Sequence, residues 1–182
     1  MKAIALSAAA AVLGMAAPVS ASIFSYGNSL AAACYQSSLY RQVSQFSLEE
    51  CNRAIDEEVL DDEDRVATFV NRGIVKMNLG MHQSAERDYD IAIGMNDRQP
   101  EAWLNKGLLR LRQDRAADAI PLIERALELN TRKPALAIFA RGMAHEKMGK
   151  FKAAYADFVR ARELDPDWAL PGRELARYQV RR

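Results

Sequence analysis

The side chains that most often bind metals or act as nucleophiles are scarce in this chain, which has two cysteines and two histidines among 182 residues. His145 begins the sequence HEKMG, which has the His-Glu pair of a zinc-protease helix but lacks its second histidine. His82 falls near a predicted turn, and both histidines are interpreted as surface or groove residues. We therefore expect no metal site.

Catalytic motifs are also missing from the sequence. It contains no phosphate-binding glycine loop and no nucleophile elbow. In the stretch RDYDIAI, Asp88 and Asp90 flank Tyr89 and are interpreted as solvated charges. These observations predict a protein that is not an enzyme and that holds no cofactor.

Residues 1–21 have the pattern of a secretory signal peptide. An apolar run up to about Ala17 follows Lys2, and the small residues VSA at 19–21 provide a cleavage point. The alternative, a membrane-spanning helix, needs about 20 apolar residues, and this run is shorter. We therefore predict a bacterial protein that is periplasmic or secreted, without a membrane span after signal cleavage.

The charge balance argues against one class of partner. The chain has 25 basic and 24 acidic residues, and removal of residues 1–21 takes away only Lys2, which leaves 24 of each. Nucleic-acid binding needs a net basic surface, so we expect no nucleic-acid partner. The acidic run from Glu49 to Asp64 and the arginines near the C-terminus are interpreted as solvated faces.

Three glycines stand inside helical sequences, where a glycine costs about 1 kcal/mol relative to alanine. Gly73, Gly107 and Gly142 are 34 and 35 residues apart. Counted from each glycine, a large apolar residue recurs at −4 and +16, and alanine recurs at +12 and +19. A period near 34 indicates units of two antiparallel helices. We expect the glycines and alanines to let the two helices cross closely, with the large residues filling the space beside the crossing.

This pattern resembles the tetratricopeptide repeat (TPR) family, whose repeats have the same kinds of residue at these positions and a closing proline, here Pro166. The resemblance covers about residues 66–168 and implies an all-α solenoid of helical hairpins. We expect clear repeats at 66–99, 100–134 and 135–168, which are called repeats 2, 3 and 4 below.

A degenerate repeat 1 is predicted at 32–65, after an N-terminal segment at 22–31. One period of 34 residues before repeat 2 gives the counterparts of its −4, glycine, +12, +16 and +19 positions, which are Tyr35, Leu39, Cys51, Ile55 and Glu58. The sequence SLEE at 47–50 predicts a capping box at the start of the second helix of this repeat.

Residues 169–182 are predicted to form a capping helix, from about Pro171, and a tail. Solenoids need a cap with a polar outer face. We expect Leu170, Leu175 and Tyr178 to cover the apolar face of repeat 4, with the arginines outward.

Cys34 and Cys51 are predicted to form a disulfide. Export places them in an oxidising compartment, where paired cysteines commonly bond, and they fall on the two helices of repeat 1. The alternative is a pair of buried thiols. A lipid anchor on Cys34 is not expected, because a polar stretch separates it from the apolar run and Ala31 replaces the leucine that is usual in lipoprotein signals.

By the resemblance, the first helix of each repeat lines a concave groove through positions −3, −2, +1, +4 and +5. The predicted groove residues are Val70, Asn71, Ile74, Met77, Asn78, Leu104, Asn105, Leu108, Leu111, Arg112, Phe139, Met143, Glu146 and Lys147. The resemblance implies a binding module of the cell envelope whose partner is a protein or peptide. The alternative is a structural, self-associating scaffold subunit of an envelope complex.

Asn71 and Asn105 occupy position −2 in successive repeats. In peptide-binding members of the family, asparagines at this position hydrogen-bond the backbone of the ligand. A side-chain amide suits this role because it has both a donor and an acceptor. The alternative is that both amides bond only to neighbouring helices. Repeat 4 has Ala140 at this position, and repeat 1 has Ser37.

Overall fold

The computed structural model describes residues 29–39 and 43–178, and these residues form nine α-helices and no strand. In chain order they are α1 (Leu30–Leu39), α2 (Gln45–Glu57), α3 (Asp62–Asn78), α4 (His82–Met95), α5 (Pro100–Arg112), α6 (Ala116–Glu128), α7 (Pro134–Lys147), α8 (Phe151–Leu164) and α9 (Ala169–Leu175). The first eight pair as four consecutive hairpins, and α9 packs on α8. The predicted solenoid of three clear repeats, a degenerate first repeat and a capping helix is confirmed.

The predicted signal peptide lies outside the described residues. Within 29–39 and 43–178, no helix is both long enough and apolar enough to cross a membrane.

Local sequence signals account for several helix starts. Asp61 caps α3, because its carboxylate accepts the backbone N–H of Asp64 at 2.8 Å. Pro100 and Pro134 begin α5 and α7, where the missing proline N–H would have no helical partner anyway. The sequence therefore defines where the first helix of repeats 2, 3 and 4 begins, and so how far along that helix its glycine lies.

Each of the three glycines lies where the two helices of its hairpin meet. A Cβ added to Gly107 would lie 2.7 Å from Cγ1 of Ile123, and one added to Gly142 would lie 2.8 Å from Cε1 of Phe158. On Gly73 it would overlap the ring of Tyr89. The residue at +16 thus packs directly on the glycine, not beside the crossing as the sequence suggested. This close contact explains why a helix interior keeps a glycine.

Buried alanines join neighbouring repeats. Ala92 of α4 lies in one core cluster with Ala102 of α5, and Ala126 of α6 lies in another with Ala137 of α7. In both joints the second helix of one repeat contributes its +19 alanine to the first helix of the next. The small side chains let successive hairpins stack closely.

The turn inside each clear repeat has a left-handed residue at position +7. Gly80 has φ 77° and Gly149 has φ 72°, and the corresponding residue of repeat 3 is Asp114 with φ 60°. Glycine adopts this conformation without steric cost, whereas aspartate does so at some cost.

Repeat 1 is held together by a disulfide. Cys34 of α1 and Cys51 of α2 are bonded, with their Cα atoms 4.7 Å apart, which confirms the predicted pair. Both residues are fully buried and cluster with Leu48 and with Val75 of α3. The bond therefore lies at the centre of the α1–α2–α3 contact.

The predicted register of repeat 1 is wrong. Tyr35 and Leu39, placed at the −4 and glycine positions, are each 49% exposed. The second helix begins at Gln45, with Ser44 and Ser47 forming its capping box, so the box is not SLEE. Glu58, placed at an alanine position, instead accepts the backbone N–H groups of the first turn of α1, Leu30 at 2.7 Å and Ala31 at 2.8 Å.

The cap covers repeat 4 mainly with aromatic side chains. The ring of Trp168 lies 4.8 Å from that of Phe139, and Tyr178 lies 6.1 Å from Phe158. Pro171 is fully buried, whereas Leu170 is 41% exposed. The helix begins at Ala169, two residues before the predicted start, and Leu175 is half-buried.

Candidate partner-binding groove

Three of the predicted groove residues are part of the core. Val70 packs with alanines of α4 and α5, Met77 packs against Tyr89 and Leu109, and Leu104 packs against α6 and α7. Leu104 is only 1% exposed. These three side chains stabilise the stacking of the repeats and present little surface to a ligand.

The other apolar groove positions are half-buried. They comprise Ile74, Leu108, Leu111, Phe139 and Met143. Leu108 and Leu111 pack at the edge of the large core cluster of repeats 3 and 4, and Ile74 touches two clusters of repeat 2. Phe139 is already covered on one side by Trp168 at a ring distance of 4.8 Å. The surface left for a partner thus lies mostly on α3 and α5.

Asn71 and Asn105 each use one half of the side-chain amide. Oδ1 of Asn71 lies 3.2 Å from the hydroxyl oxygen of Ser38 in α1, whose single proton also has the backbone oxygen of Tyr35 as an acceptor, at 2.7 Å. Nδ2 of Asn105 donates to the backbone oxygen of Glu101, one turn earlier in α5, at 2.8 Å. Within the described residues, Nδ2 of Asn71 and Oδ1 of Asn105 have no hydrogen-bond partner. One donor and one acceptor are therefore left on adjacent repeats.

Polar contacts made by the residues at position +5 connect successive repeats. Nη2 of Arg112 donates to Oδ1 of Asn78 at 3.3 Å, and Nζ of Lys147 lies 2.5 Å from Oδ1 of Asp114. The hydrogen bond and charge of Lys147 lower the pKa of Asp114. Contacts of this kind fix the spacing between the first helices.

Glu146, at position +4 of repeat 4, is engaged by the cap. The hydroxyl of Tyr178 donates to Oε1 of Glu146 at 3.1 Å, and Nη1 of Arg177 lies 3.5 Å from Oε2. Burial, and then the hydrogen bond to this carboxylate, raise the pKa of Tyr178 to about 12. Together with Phe151, these side chains line a depression of about 310 Å³. A partner that reached this end would meet the chain's own cap.

Sequence reasoning missed two buried charge clusters. Asp88 is 2% exposed, not solvated as predicted. Arg72 donates to its two carboxylate oxygens at 3.0 and 2.8 Å, and Nζ of Lys76 lies 2.8 Å from Oδ2. Burial lowers the pKa of Lys76. The sequence does contain a signal for these clusters: basic or ionisable residues at −1 and +3, with an aspartate at +15, occur in both repeat 2 and repeat 4.

The matching cluster of repeat 4 contains one of the two histidines. Arg141 donates to both oxygens of Asp157, at 3.0 and 2.6 Å, and Nδ1 of His145 lies 3.1 Å from Oδ2. The hydrogen bond to Asp157 raises the pKa of Arg141. His145 thus stabilises the hairpin and is not a free surface residue. Among the described residues, no group of three or more His, Cys, Asp or Glu side chains is placed to hold a metal ion.

Sequence models described as tetratricopeptide repeat match residues 70–135 and 135–168, which together exceed half of the chain. The chain belongs to the tetratricopeptide repeat family. Its TPR hairpins account for the 34-residue period and for the closely packed glycines.

Solved structures with a similar fold include several of MamA. A MamA structure (residues 41 to the end) from Desulfovibrio magneticus RS-1 matches with a TM-score of 0.62 and 21% identity, covering 81% of this chain and 82% of that chain. The MamA RS-1 ArsTM double mutant gives the same values. MamA MSR-1 C2 matches with a TM-score of 0.60 and 18% identity, covering 82% and 79%. At these identities the likeness concerns the fold alone. No curated protein sequence matches the chain significantly.

The TPR architecture makes this chain a module for interaction with proteins or for scaffolding.

Proposed function

We propose that this TPR protein binds an extended peptide segment of a partner protein across α3 and α5, and that it does so outside the cytoplasm without catalysing a reaction. Asn71 and Asn105 hold the backbone of the peptide, and Ile74, Leu108 and Leu111 contact its apolar side chains. Arg112 contributes a polar rim, as do Asn78 and Lys147.

The observation that supports this proposal is the half-used amide on each of two adjacent repeats. The free Nδ2 of Asn71 donates to a peptide carbonyl, and the free Oδ1 of Asn105 accepts a peptide N–H. Contacts to the backbone tolerate many peptide sequences, so the half-buried apolar neighbours supply selectivity. The core residues Val70, Met77 and Leu104 act only as support for this surface.

The compartment is proposed from the signal-like sequence at 1–21 together with the disulfide. Structural disulfides persist in oxidising compartments, and Cys34 and Cys51 are bonded. Mass spectrometry of the expressed protein tests export: we expect a chain that begins at about Ser22, whereas an intact Met1 would contradict it.

The binding proposal is tested with peptides selected from a displayed random-peptide library on the oxidised protein. We expect Asn71→Ala with Asn105→Ala to weaken a selected peptide at least about tenfold, which corresponds to about 1.4 kcal/mol. Fluorescence anisotropy gives the affinities. Gln83→Ala with Asn96→Ala removes two amides from α4 and the loop after it, and it is expected to leave affinity unchanged.

The thermal melt separates binding from folding in this test. If the asparagine double variant keeps full affinity, the peptide is not held by these amides. If its melting temperature falls by more than that of the control variant, the asparagines are structural.

A self-associating scaffold is the second candidate, and exposed aromatic side chains favour it. Phe46 of repeat 1 is 71% exposed and Phe151 of repeat 4 is 59% exposed. Such residues near opposite ends of the array provide apolar surface for contact between copies. Light scattering over a range of concentrations tests this second function. A molar mass that stays that of a monomer at every concentration would contradict self-association.

A further inference from the structure

Repeats 2, 3 and 4 share basic or ionisable residues at positions −1 and +3. These are Arg72 and Lys76, Lys106 and Arg110, and Arg141 and His145. In repeats 2 and 4 the two residues face an aspartate at +15 on the second helix of the same repeat. In repeat 3 the residue at +15 is Leu122. Its two basic residues therefore have no acid within their own repeat to pair with at this position.

Lys106 and Arg110 pair instead with α4 of the preceding repeat. Nζ of Lys106 lies 2.5 Å from Oδ1 of Asp90. Arg110 donates to both carboxylate oxygens of Glu86, with Nη1 2.9 Å from Oε2, and also to Oε1 of Gln113 at 2.8 Å. Arg110 is 8% exposed, so part of this contact is shielded from solvent. The joint between repeats 2 and 3 thus contains two ion pairs that cross it.

The joint between repeats 3 and 4 has one exposed ion pair, from Lys147 to Asp114 in the turn before α6, and is otherwise built differently. The positions of Glu86 and Asp90 are occupied in α6 by Ile120 and Glu124, and Arg141 turns inward to Asp157. In the described part of the chain, no side-chain hydrogen bond or ion pair connects α6 with α7. A continuous apolar cluster spans this joint: Leu104, Ala119, Ile123, Ala126, Ala137 and Ala140. The α4–α5 joint also has apolar contact, for example between Ala92 and Ala102, so the ion pairs are what it has in addition.

We infer that the two ion pairs of the α4–α5 joint, called the clasp below, supplement its apolar contact and make it the joint at which the array opens, dividing it into a block of repeats 1 and 2 and a block of repeats 3 and 4. Salt weakens the clasp mainly through the Lys106–Asp90 pair, because Asp90 is half-exposed and exposed ion pairs are screened more than buried ones. Acid weakens it too. The hydrogen bond from Arg110 lowers the pKa of Glu86, so this contribution to stability is present above the carboxylate's ordinary pKa and is lost as the pH falls through the lowered value.

The clasp, together with the hydrogen bond from Arg112 to Asn78, sets the distance between α3 and α5, the first helices on either side of the joint. Opening it separates Asn71 from Asn105 without disturbing either hairpin. The clasp itself involves no ligand, so its test is independent of the proposed peptide binding.

Hydrogen exchange of the purified protein, with the disulfide intact, tests the clasp. On raising the salt from about 0.02 M to about 0.5 M, we expect amide exchange in α4 and α5 to accelerate at least about threefold, and exchange in α7 and α8 to change much less. In Glu86→Gln with Asp90→Asn, exchange in α4 and α5 is fast already at low salt and no longer depends on salt. The matched variant Asp118→Asn with Glu124→Gln removes two acids from α6, and it is expected to respond to salt as the unmodified protein does.

Swapping the two charges of the Asp90–Lys106 pair provides a second test if the double variant is too unstable to measure. Asp90 is half-exposed, so Asp90→Lys is expected to fold and to accelerate exchange in α4 and α5 by placing two cations together. Adding Lys106→Asp should restore slow exchange. Equal salt dependence in all helices, or failure of the second change to restore protection, would overturn the clasp.

Discussion

Repeat 1 and repeats 2–4 join two antiparallel helices by different means. In the later repeats an apolar side chain, Ile123 for example, packs directly on a glycine of the facing helix. In repeat 1 a covalent bond between Cys34 and Cys51 lies at the centre of the helix contact, and the carboxylate of Glu58 caps the first helix. Repeats 2–4, whose core is large, therefore keep the glycine packing of the family pattern. In repeat 1, whose core is small, the disulfide replaces that packing.

The reason lies in the length and composition of α1. It has ten residues, and two of its large apolar side chains, Tyr35 and Leu39, are half-exposed. A helix this short buries little apolar surface and is marginal without tertiary support. A cross-link compensates by limiting the freedom of the unfolded chain. The following predictions test this contrast, starting with the largest expected effect.

Removing the disulfide should destabilise repeat 1 selectively. We expect Cys34→Ser with Cys51→Ser to lower the free energy of unfolding of the α1–α2 region by about 3 kcal/mol, from the chain-entropy model for a short loop. The two cysteines are 17 residues apart. Hydrogen exchange should show faster exchange in α1 and α2 while α7 and α8 keep their protection. Reduction of the unmodified protein serves as the control and should give the same pattern; an equal loss in all repeats would contradict the contrast.

Adding a side chain at a glycine that contacts the facing helix should destabilise its repeat. Gly107→Leu places a side chain against Cγ1 of Ile123, and overpacking of this kind costs about 2 kcal/mol or more. Gly94 is the matched control, because it also lies in a helix but an added Cβ meets nothing within 4 Å. Gly94→Leu should therefore be neutral or stabilising. Equal urea midpoints for the two variants would show that Gly107 is not a packing position.

The hydroxyl of Tyr89 offers a finer test of the same contact. Within the described residues it is buried without a hydrogen-bond partner, and burial raises the pKa of this tyrosine. Since an unpaired buried hydroxyl is unfavourable, Tyr89→Phe should stabilise the protein by about 1 kcal/mol in thermal unfolding. Phe158 holds the corresponding place in repeat 4, and Phe158→Tyr should destabilise by a similar amount. Destabilisation by Tyr89→Phe would mean that the hydroxyl has a partner.

The smallest expected effect concerns the turn of repeat 3. Asp114→Gly introduces the residue that repeats 2 and 4 have at their left-handed turn position. Relief of the backbone cost should raise stability by about 0.5 kcal/mol, reduced by loss of the exposed pair with Lys147. Lys147→Ala alone measures that pair in thermal unfolding. A lower melting temperature for Asp114→Gly than for Lys147→Ala would contradict the argument from the turn.

The sequence was sufficient to predict the three clear repeats, because packing against Gly73, Gly107 and Gly142 imposes residue types at fixed offsets. It was sufficient for the disulfide pair as well. It was insufficient for the register of repeat 1, because the bond between Cys34 and Cys51 replaces the contact that otherwise fixes the offset. Extrapolating the 34-residue period therefore assigned Tyr35 and Leu39 to positions that are half-exposed.

The candidate site was less predictable than the fold. The family positions identify which residues lie on the first helices, but not how closely the next repeat covers them. They therefore predict Val70 and Leu104 in the groove, although both are buried. The sequence alone predicts a solvated Asp88, because charged side chains are mostly exposed. The position of Arg72 and Lys76 across the hairpin shows the reverse. The peptide-binding role of Asn71 and Asn105 stays a prediction.

The contact of each glycine with the residue sixteen positions later also bears on how the chain folds. The partners are close in sequence, so a hairpin forms after closure of a short loop, and contacts of such low order allow folding on a fast timescale. Folding can begin in any of repeats 2–4 and propagate to its neighbours. Repeat 1 differs because its helix pair contains a bond between two sulfurs, and this bond needs an oxidant to form. Disulfide formation takes about seconds to hours, so we expect repeat 1 to be completed after the rest of the array.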